Sequence, residues 1–293
     1  MARIARLRRW SRAGYDLAVF AHNPFADLVL APFLRARFKV GFETNNRGFG
    51  FGLSHVVRRY GTDHPKSAAQ PRTHVIEHFL DLLRAFAGAV PSVPARVVVT
   101  EEETRAARAW LAAQGITSAP VVLAPGGTVA IKLWPIARFA ELARRCVAEL
   151  GVPVVIIGGP DEACHAPHFA ALGPCVCFAA GALSLRQSMA LISEAAALVA
   201  SDTGLAHAAA ALDVPLVEVF GPTPDWVYGY SGARRTIVKA ALPCVPCVSD
   251  ACRLLPPGAH GTVPPCMEAI GSDEVMAALA RVLGAGARAA GSA

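Results

Sequence analysis

Between Val121 and Phe220 the chain alternates short apolar runs with helix-forming stretches, and this rhythm restricts the fold more than any other feature. Val121–Ala124 reads as a strand and 135–150 as the helix after it, with Pro135 at its first position and Gly151 just past its end. The helix carries an apolar stripe of Ile136, Phe139, Leu142, Cys146 and Leu150. Strands at 153–158 and 175–178 follow. Ser184, with Gln187 as its capping-box partner, opens a helix over 185–196; then come a strand at 197–200, a helix at 204–212 and a strand at 214–220. Strands apolar on both faces must be covered on both faces, and intervening helices make successive strands parallel. The expected class is α/β with a doubly wound parallel sheet, whose ligands sit beyond the carboxyl ends of the strands.

The first third is less regular. It reads as a helix at Ala2–Ala13, a strand at Tyr15–Ala21, a helix at Phe25–Arg35, a short strand at Phe38–Gly41 and a Gly/Asn/aromatic loop at 44–53. A helix near Thr73–Phe86 follows, with Ile76, Phe79, Leu80, Leu83 and Phe86 on one stripe. Pro91-Ser92-Val93-Pro94 is linker-like, and Thr100 opens an acidic helix with Glu103 as its capping-box partner. Two domains are expected, 1–95 and 96–293.

A mean hydropathy of +0.40 suits a membrane protein as well as a helix-covered parallel sheet. The longest stretches free of Asp, Glu, Lys and Arg, 109–131 and 163–185, are broken by proline and glycine and do not read as spanning helices. The N-terminus is a basic helix without the apolar core of a signal sequence, so a cytoplasmic, soluble protein is expected. The net charge of +6 is mainly arginine, with Arg3, Arg6, Arg8, Arg9 and Arg12 crowding the first helix. Two readings stay open for that cluster: a solvated helix face, or peripheral contact with an anionic surface at the inner face of the inner membrane. No helix-turn-helix, RNP or finger pattern turns the basicity into nucleic-acid readout, so nucleic acid is not an expected partner.

Two strand-to-helix loops carry phosphate-type chemistry. Gly126-Gly127-Thr128 follows the strand at 121–124; the glycines admit a phosphate close to the backbone, the threonine adds a donor, and Lys132 brings a point charge. The plainer alternative is an ordinary turn with a surface lysine. Ser201-Asp202-Thr203-Gly204 opens the alanine-rich helix at 204–212, where free N–H groups and the positive dipole end face outward. Asp202 or Thr203 can simply cap that helix. A carboxylate beside a diphosphate is otherwise repulsive, and sugar hydroxyls are its natural partners. His207, one turn in, faces the same ligand or packs. Glu162, after Gly158-Gly159-Pro160-Asp161, is either a solvated loop acid or a ligand of ribose or sugar hydroxyls.

Of eight cysteines, Cys146, Cys175 and Cys177 read as core. Cys244, Cys247, Cys252 and Cys266 lie in one proline-rich loop, with a spacing that suits either a structural tetrathiolate zinc site or merely packed thiols and disulfides. Cys164-His165-x-x-His168 reads as a surface helix. No Asp-x-Asp pair occurs, which weighs against a glycosyltransferase holding its diphosphate through a divalent metal, and neither a nucleophile elbow nor a dinucleotide glycine fingerprint is found.

Together these residues resemble the ADP-heptose:lipopolysaccharide heptosyltransferase family. The resemblance is carried by Pro125-Gly126-Gly127-Thr128 with Lys132-Leu133-Trp134-Pro135, Gly158–Glu162, Ser201–Gly204 with His207, Phe220-Gly221-Pro222-Thr223, and the cysteine-rich tail. It is strong over about 120–280 and weaker over 1–90. It implies the GT-B fold of two Rossmann-like domains, here with the N-terminal one incomplete, and transfer of a heptose or related core sugar from an ADP-sugar to a lipopolysaccharide core or lipid A acceptor. By the resemblance, Gly126, Gly127, Thr128 and Lys132 bind the diphosphate, Glu162 the nucleoside, and Asp202, Thr203 and Gly204 the sugar and phosphates, with His207 nearby. Lys132 and Asp202 are the catalytic candidates within this donor site. The reaction implied is an inverting displacement that needs no metal cofactor. Family members begin with a strand and a Gly-Asp loop that supplies a catalytic aspartate; this chain begins in what reads as the following helix. His22, at the end of the strand at 15–21, is the in-chain candidate for the base. A catalytically impaired, nucleotide-sugar-binding remnant is the alternative, and an epimerase of the same architecture is disfavoured by the lack of extra acid–base carboxylates.

Overall fold

The computed structural model describes residues 10, 12–21, 31–42, 52–57, 73–247, 249, 251–256 and 262–290. The chain divides into two compact units, Met1–Pro94 and Ala95–Ala293. In the first unit β1 (Tyr15–Phe20), β2 (Ala36–Phe42) and β3 (His55–Val57) form a parallel sheet in the order β1-β2-β3, against which α1 (Val75–Ala87) packs. Its core is small: Val40, Phe42 and Leu82, with Leu17 and Val57 against them. The stripe expected on α1 is only partly the buried one. Leu80 is buried together with His78 and Leu82, while Phe79, Leu83 and Phe86 stay 43–45% exposed. Apolar side chains occupy more than half the circumference of this helix, so periodicity alone does not choose its inner face. The expected helix at 25–35 is described only from residue 31, where Ala31–Phe33 forms a single 3₁₀ turn. His22, Arg3–Arg9 and most of the 44–53 loop lie outside the described residues.

The second unit opens with α2 (Glu101–Ala113), whose Thr100–Glu103 capping box is present as expected. Then follow β4 (Val121–Ala124), α3 (Ile136–Leu150), β5 (Val154–Ile156), β6 (Val176–Phe178), α4 (Leu185–Ser193), β7 (Ala197–Ser201), α5 (Gly204–Ala211) and β8 (Leu216–Phe220). The chain ends with α6 (Asp225–Tyr228), β9 (Arg235–Lys239), α7 (Pro265–Glu268) and α8 (Ser272–Ala290). All six strands are parallel, in the order β6-β5-β4-β7-β8-β9. In the four inner strands adjacent residues point to opposite faces, and both faces are buried. Val121, Leu123, Val154, Ile156, Val199, Val217 and Val219 meet Phe139, Leu142 and Cys146 of α3 and Val275 and Leu279 of α8. Val122, Ala124, Val155, Leu198, Ala200 and Leu216 meet α2, α4 and the small Ala206, Ala209 and Ala210 of α5. Each large aliphatic side chain so covered contributes about 1.5–3 kcal/mol. The apolar runs of the inner strands, interrupted in β8 by Glu218, are thus the signature of a sheet covered twice.

Helix α3 follows the expected pattern: Gly151 closes it at φ +65°, and burial pushes the Cys146 thiol on its stripe up to about 12. Helix α4 keeps its Ser184–Gln187 capping box but ends at Ser193, three residues short of the expectation, because residues 194–196 turn the chain into β7. Cys175 and Cys177 are exposed and half-buried, not core, because β6 lies at the edge of the sheet. The order reverses at β4: β5 and β6 lie on one side of it, β7, β8 and β9 on the other. The loops leaving β4 and β7 therefore diverge, opening the crevice where α/β sheets bind ligands.

Candidate functional site

The loop after β4 is tied to the end of β7. The Trp134 backbone N–H donates to Ser201 Oγ at 3.0 Å, with Ser201 fully buried. The Trp134 indole, 1% exposed, meets Phe139 edge-on and donates through Nε1 to the carbonyl of Ile270 at 2.9 Å. This anchoring fixes the short 3₁₀ segment Ala130–Lys132 and holds Lys132 over the neighbouring strand end. Lys132 Nζ stands 2.9 Å from Asp202 Oδ2, and Thr223 Oγ1 donates to the same oxygen at 2.8 Å. The Asp202 side chain is only 5% exposed, so both partners offset its desolvation. On the other side of Lys132 lies the Tyr228 ring, 5.7 Å from Nζ.

The glycines of the site are small because side chains occupy the space beside them. A Cβ on Gly126 would come within 2.3 Å of the Glu162 carboxyl carbon, and one on Gly158 within 3.0 Å of Glu162 Cβ. Glu162 thus lies across the ends of β4 and β5. A Cβ on Gly127 would meet Thr203 Cγ2 at 2.8 Å, so the β4 loop touches the first turn of α5 directly. No side chain caps α5; Thr203 Oγ1 is buried with no hydrogen-bond partner, and the space beside Gly204 is open. The positive end of the helix therefore stands uncapped beside the open space at Gly204. Thr128 stands exposed in the same loop as Gly126 and Gly127.

His207 occupies the second turn of α5. Its Nε2 lies 3.9 Å from Asp202 Oδ1, beyond hydrogen-bond range, while Nδ1 pairs with the Tyr230 hydroxyl at 3.2 Å. Burial lowers the His207 pKa below its ordinary value against the opposing pull of Asp202, so the ring is uncharged at neutral pH. Behind this pair lies Glu218, fully buried in β8; its Oε2 accepts the Tyr230 backbone N–H at 2.7 Å. Burial pushes its pKa up to about 8, partly offset by that hydrogen bond and reinforced by the charge of Asp202.

The structure thus gathers Gly126, Gly127, Thr128, Lys132, Glu162, Asp202, Thr203, Gly204 and His207 at one end of the sheet, while His22 lies outside the described residues. Thr223, Tyr228, Tyr230 and Glu218 were not assigned roles from the sequence. Thr223 had a signal in Gly221-Pro222-Thr223 closing a strand, and Glu218 in being a lone carboxylate within Leu-Val-Glu-Val-Phe.

Of the two readings of the C-terminal cysteines, the zinc site finds no support. Among the described residues no group of three or more His, Cys, Asp or Glu side chains is arranged to hold a metal ion. Cys266 is drawn into the core beneath the turn at Gly221, where Met267 Sδ and Cys266 Sγ would lie 2.3 and 3.2 Å from an added Cβ, while Cys244 stands exposed. Burial, then the nearby Cys247 and Cys252, pushes the Cys266 thiol up. Cys247 instead braces the site, its N–H bonding the Pro222 carbonyl at 3.0 Å. Among the described residues no helix is long and apolar enough to cross a membrane.

Comparison with known proteins identifies the family and the fold. The family model described as glycosyltransferase family 9 (heptosyltransferase) matches residues 4–256. Lipopolysaccharide heptosyltransferase 1 of Pseudomonas aeruginosa is 35% identical over 136 residues, 46% of this chain; the match spans 38% of that relative's length. A glycosyltransferase family 9 structure from Veillonella parvula superposes with a TM-score of 0.72 at 20% identity, covering 95% of this chain and 77% of that one. An Escherichia coli heptosyltransferase solved with ADP-2-deoxy-2-fluoro heptose superposes with a TM-score of 0.60 at 21% identity, covering 82% and 70%. These structural likenesses are likenesses of fold, the α/β GT-B architecture with parallel sheets.

Proposed function

The chain belongs to glycosyltransferase family 9, and from that premise we propose that it moves a heptose, or a related core sugar, from an ADP-sugar to a lipopolysaccharide core acceptor. The observation that carries the reading is the joining of Lys132, Asp202 and Thr223 at the switch point, beside the uncapped first turn of α5. Lys132 keeps donors beyond the one directed at Asp202, and these reach a diphosphate. Asp202 Oδ1 is left for sugar hydroxyls, because both hydrogen bonds to this carboxylate fall on Oδ2. Glu162, held beside Gly126 and Gly158, is placed for ribose hydroxyls.

The reaction is a direct displacement. The acceptor hydroxyl oxygen bonds to the anomeric carbon, the bond from that carbon to the diphosphate oxygen breaks with inversion, and a base takes the hydroxyl proton. Negative charge grows on the leaving ADP, where Lys132 and the N–H groups of α5 stabilise it. These groups supply the positive charge that other glycosyltransferases draw from a divalent metal. The test is calorimetric titration of the chain with ADP, ADP-heptose and UDP, beside Asp202→Ala. Binding of both ADP ligands, at least tenfold weaker for ADP-heptose in the variant, is expected. No binding to any of the three overturns the reading.

A further inference from the structure

A carboxyl group in the middle of a parallel strand is a costly thing to keep. Glu218 pairs in register with Ala200 of β7 and Ile237 of β9, on the sheet face covered by the alanines of α5, and has no exposed surface. Its Oε1 is buried without a hydrogen-bond partner, so the group is poorly compensated. What it does hold is the backbone N–H of Tyr230, at 2.7 Å. Tyr230 comes from the segment between α6 and β9, which carries no periodicity of its own. Its ring lies edge-on to His207, with centroids 5.6 Å apart, and the Arg235 guanidinium lies 5.9 Å from its centre on the other side. Its hydroxyl reaches His207 Nδ1 at 3.2 Å, and His207 Nε2 faces Asp202. A path of contacts therefore runs from a buried carboxyl through Tyr230 to His207, whose Nε2 faces the candidate sugar-binding aspartate across 3.9 Å.

The chemistry of the path is directional. If Nδ1 accepts the phenol proton, Nε2 carries the ring's own proton and points it toward the Asp202 carboxylate. The other tautomer would aim the Nε2 lone pair at that carboxylate, which is repulsive. We propose that Glu218 is a positioning residue of this site: by holding the Tyr230 backbone it sets the phenol that fixes the His207 ring, so that Nε2 presents its proton toward Asp202 and the bound donor. The inference rests on the donor-site reading for its consequence, not for its geometry. The raised pKa of Glu218 fits this role, because an uncharged acid adds no negative charge beneath a diphosphate.

The test reads the tautomer itself. Long-range proton–nitrogen NMR spectra of the full chain with labelled histidine report which ring nitrogen is protonated, and His207→Gln identifies the His207 signals. The wild-type chain is expected to show the Nε2–H form. Tyr230→Phe, which removes only the hydroxyl, and Glu218→Ala are expected to shift His207 toward a mixture of tautomers. Glu218→Gln, which keeps an acceptor for the Tyr230 N–H, restores the wild-type pattern. A wild-type Nδ1–H form, a His207 signal unmoved by Tyr230→Phe, or one unmoved by Glu218→Ala overturns the proposal; where Glu218→Ala does not fold, Glu218→Met, of similar size and without an acceptor oxygen, takes its place in the same comparison. Titration of the same samples with ADP-heptose is expected to show about threefold to tenfold weaker binding for Tyr230→Phe. A tautomer that responds as stated in a chain that binds no ADP ligand would overturn the donor-site reading and leave the positioning role standing.

Discussion

Replacing Glu218 by glutamine should remove a pH dependence of stability that the wild-type chain carries. The carboxyl has an ordinary pKa of 4.5 and is pushed up to about 8 in the folded chain, by burial first and the Asp202 charge in addition. Between these values the folded chain holds a proton that the unfolded chain has released. Stability therefore falls as pH rises, by about 1.4 kcal/mol per unit. The contribution is intact below pH 4.5, is lost progressively up to about pH 8, and is flat above it. Over the 3.5 units between the two values the loss reaches roughly 5 kcal/mol, comparable with the whole stability of a marginal domain. Glutamine has the same shape, keeps an acceptor for the Tyr230 N–H, and does not titrate. The assay is urea unfolding of the intact wild-type and Glu218→Gln chains at pH 5, 6, 7, 8 and 9. Other titrating groups, His207 among them, are common to both and cancel in the difference. The glutamine chain should gain on the wild type by several kcal/mol between pH 5 and 8, with no further gain at pH 9. A difference that stays within about 1 kcal/mol across this range refutes the reasoning, because the carboxyl would then titrate alike in both states.

Lys132→Met leaves Asp202 with only the Thr223 hydroxyl; unfolding should show a loss of about 1–3 kcal/mol, and turnover with an ADP-sugar should fall on the order of a hundredfold or more. Gly126→Ala places a Cβ 2.3 Å from the Glu162 carboxyl carbon and drives that side chain out of its seat. Calorimetry should show ADP binding about tenfold weaker with little change in thermal midpoint; unchanged affinity would remove Glu162 from the nucleotide site. Trp134→Phe keeps the ring packing on Phe139 but leaves the buried Ile270 carbonyl without its indole donor, so denaturant unfolding should register a loss of about 1–3 kcal/mol.

The legible parts of this fold are those whose physics is local. Inner strands of a doubly covered sheet are continuous apolar runs, and Pro135, Gly151 and the Ser184–Gln187 box mark helix ends by backbone chemistry alone. Strand β9 escaped notice because Arg235 and Lys239 bracket it: an edge strand is half wet and loses the apolar signature. The same edge effect exposes Cys175 on the opposite side of the sheet. In the site, residues on strand-to-helix loops were readable because glycine, lysine and aspartate have few other reasons to occur together there. Tyr228 and Tyr230 were not, because they reach Lys132 and His207 from a segment whose path is set by the tertiary structure. The cysteine spacing suggested a metal site, but Cys266 is drawn under Gly221 while Cys244 stays exposed, and no metal-holding group forms among the described residues.

The distribution of charge explains how three carboxyl groups can stand around the proposed site for an anionic donor. Asp202 is matched by Lys132 at 2.9 Å, and that contact also holds a flexible four-carbon side chain in one place before any ligand arrives. Glu162 lies across the glycine loops at the far strand end, where hydroxyls rather than phosphates would meet it. Glu218 lies on the sheet face covered by the alanines of α5, where an ionised carboxylate would repel Asp202 and add negative charge beneath the proposed anion site. Burial removes that conflict by keeping the group protonated up to about pH 8. A neutral acid still accepts the Tyr230 N–H, so the positioning contact survives while the charge does not. The burial that makes Glu218 a liability to stability in alkali is therefore the condition that lets a carboxyl serve beneath a diphosphate at neutral pH.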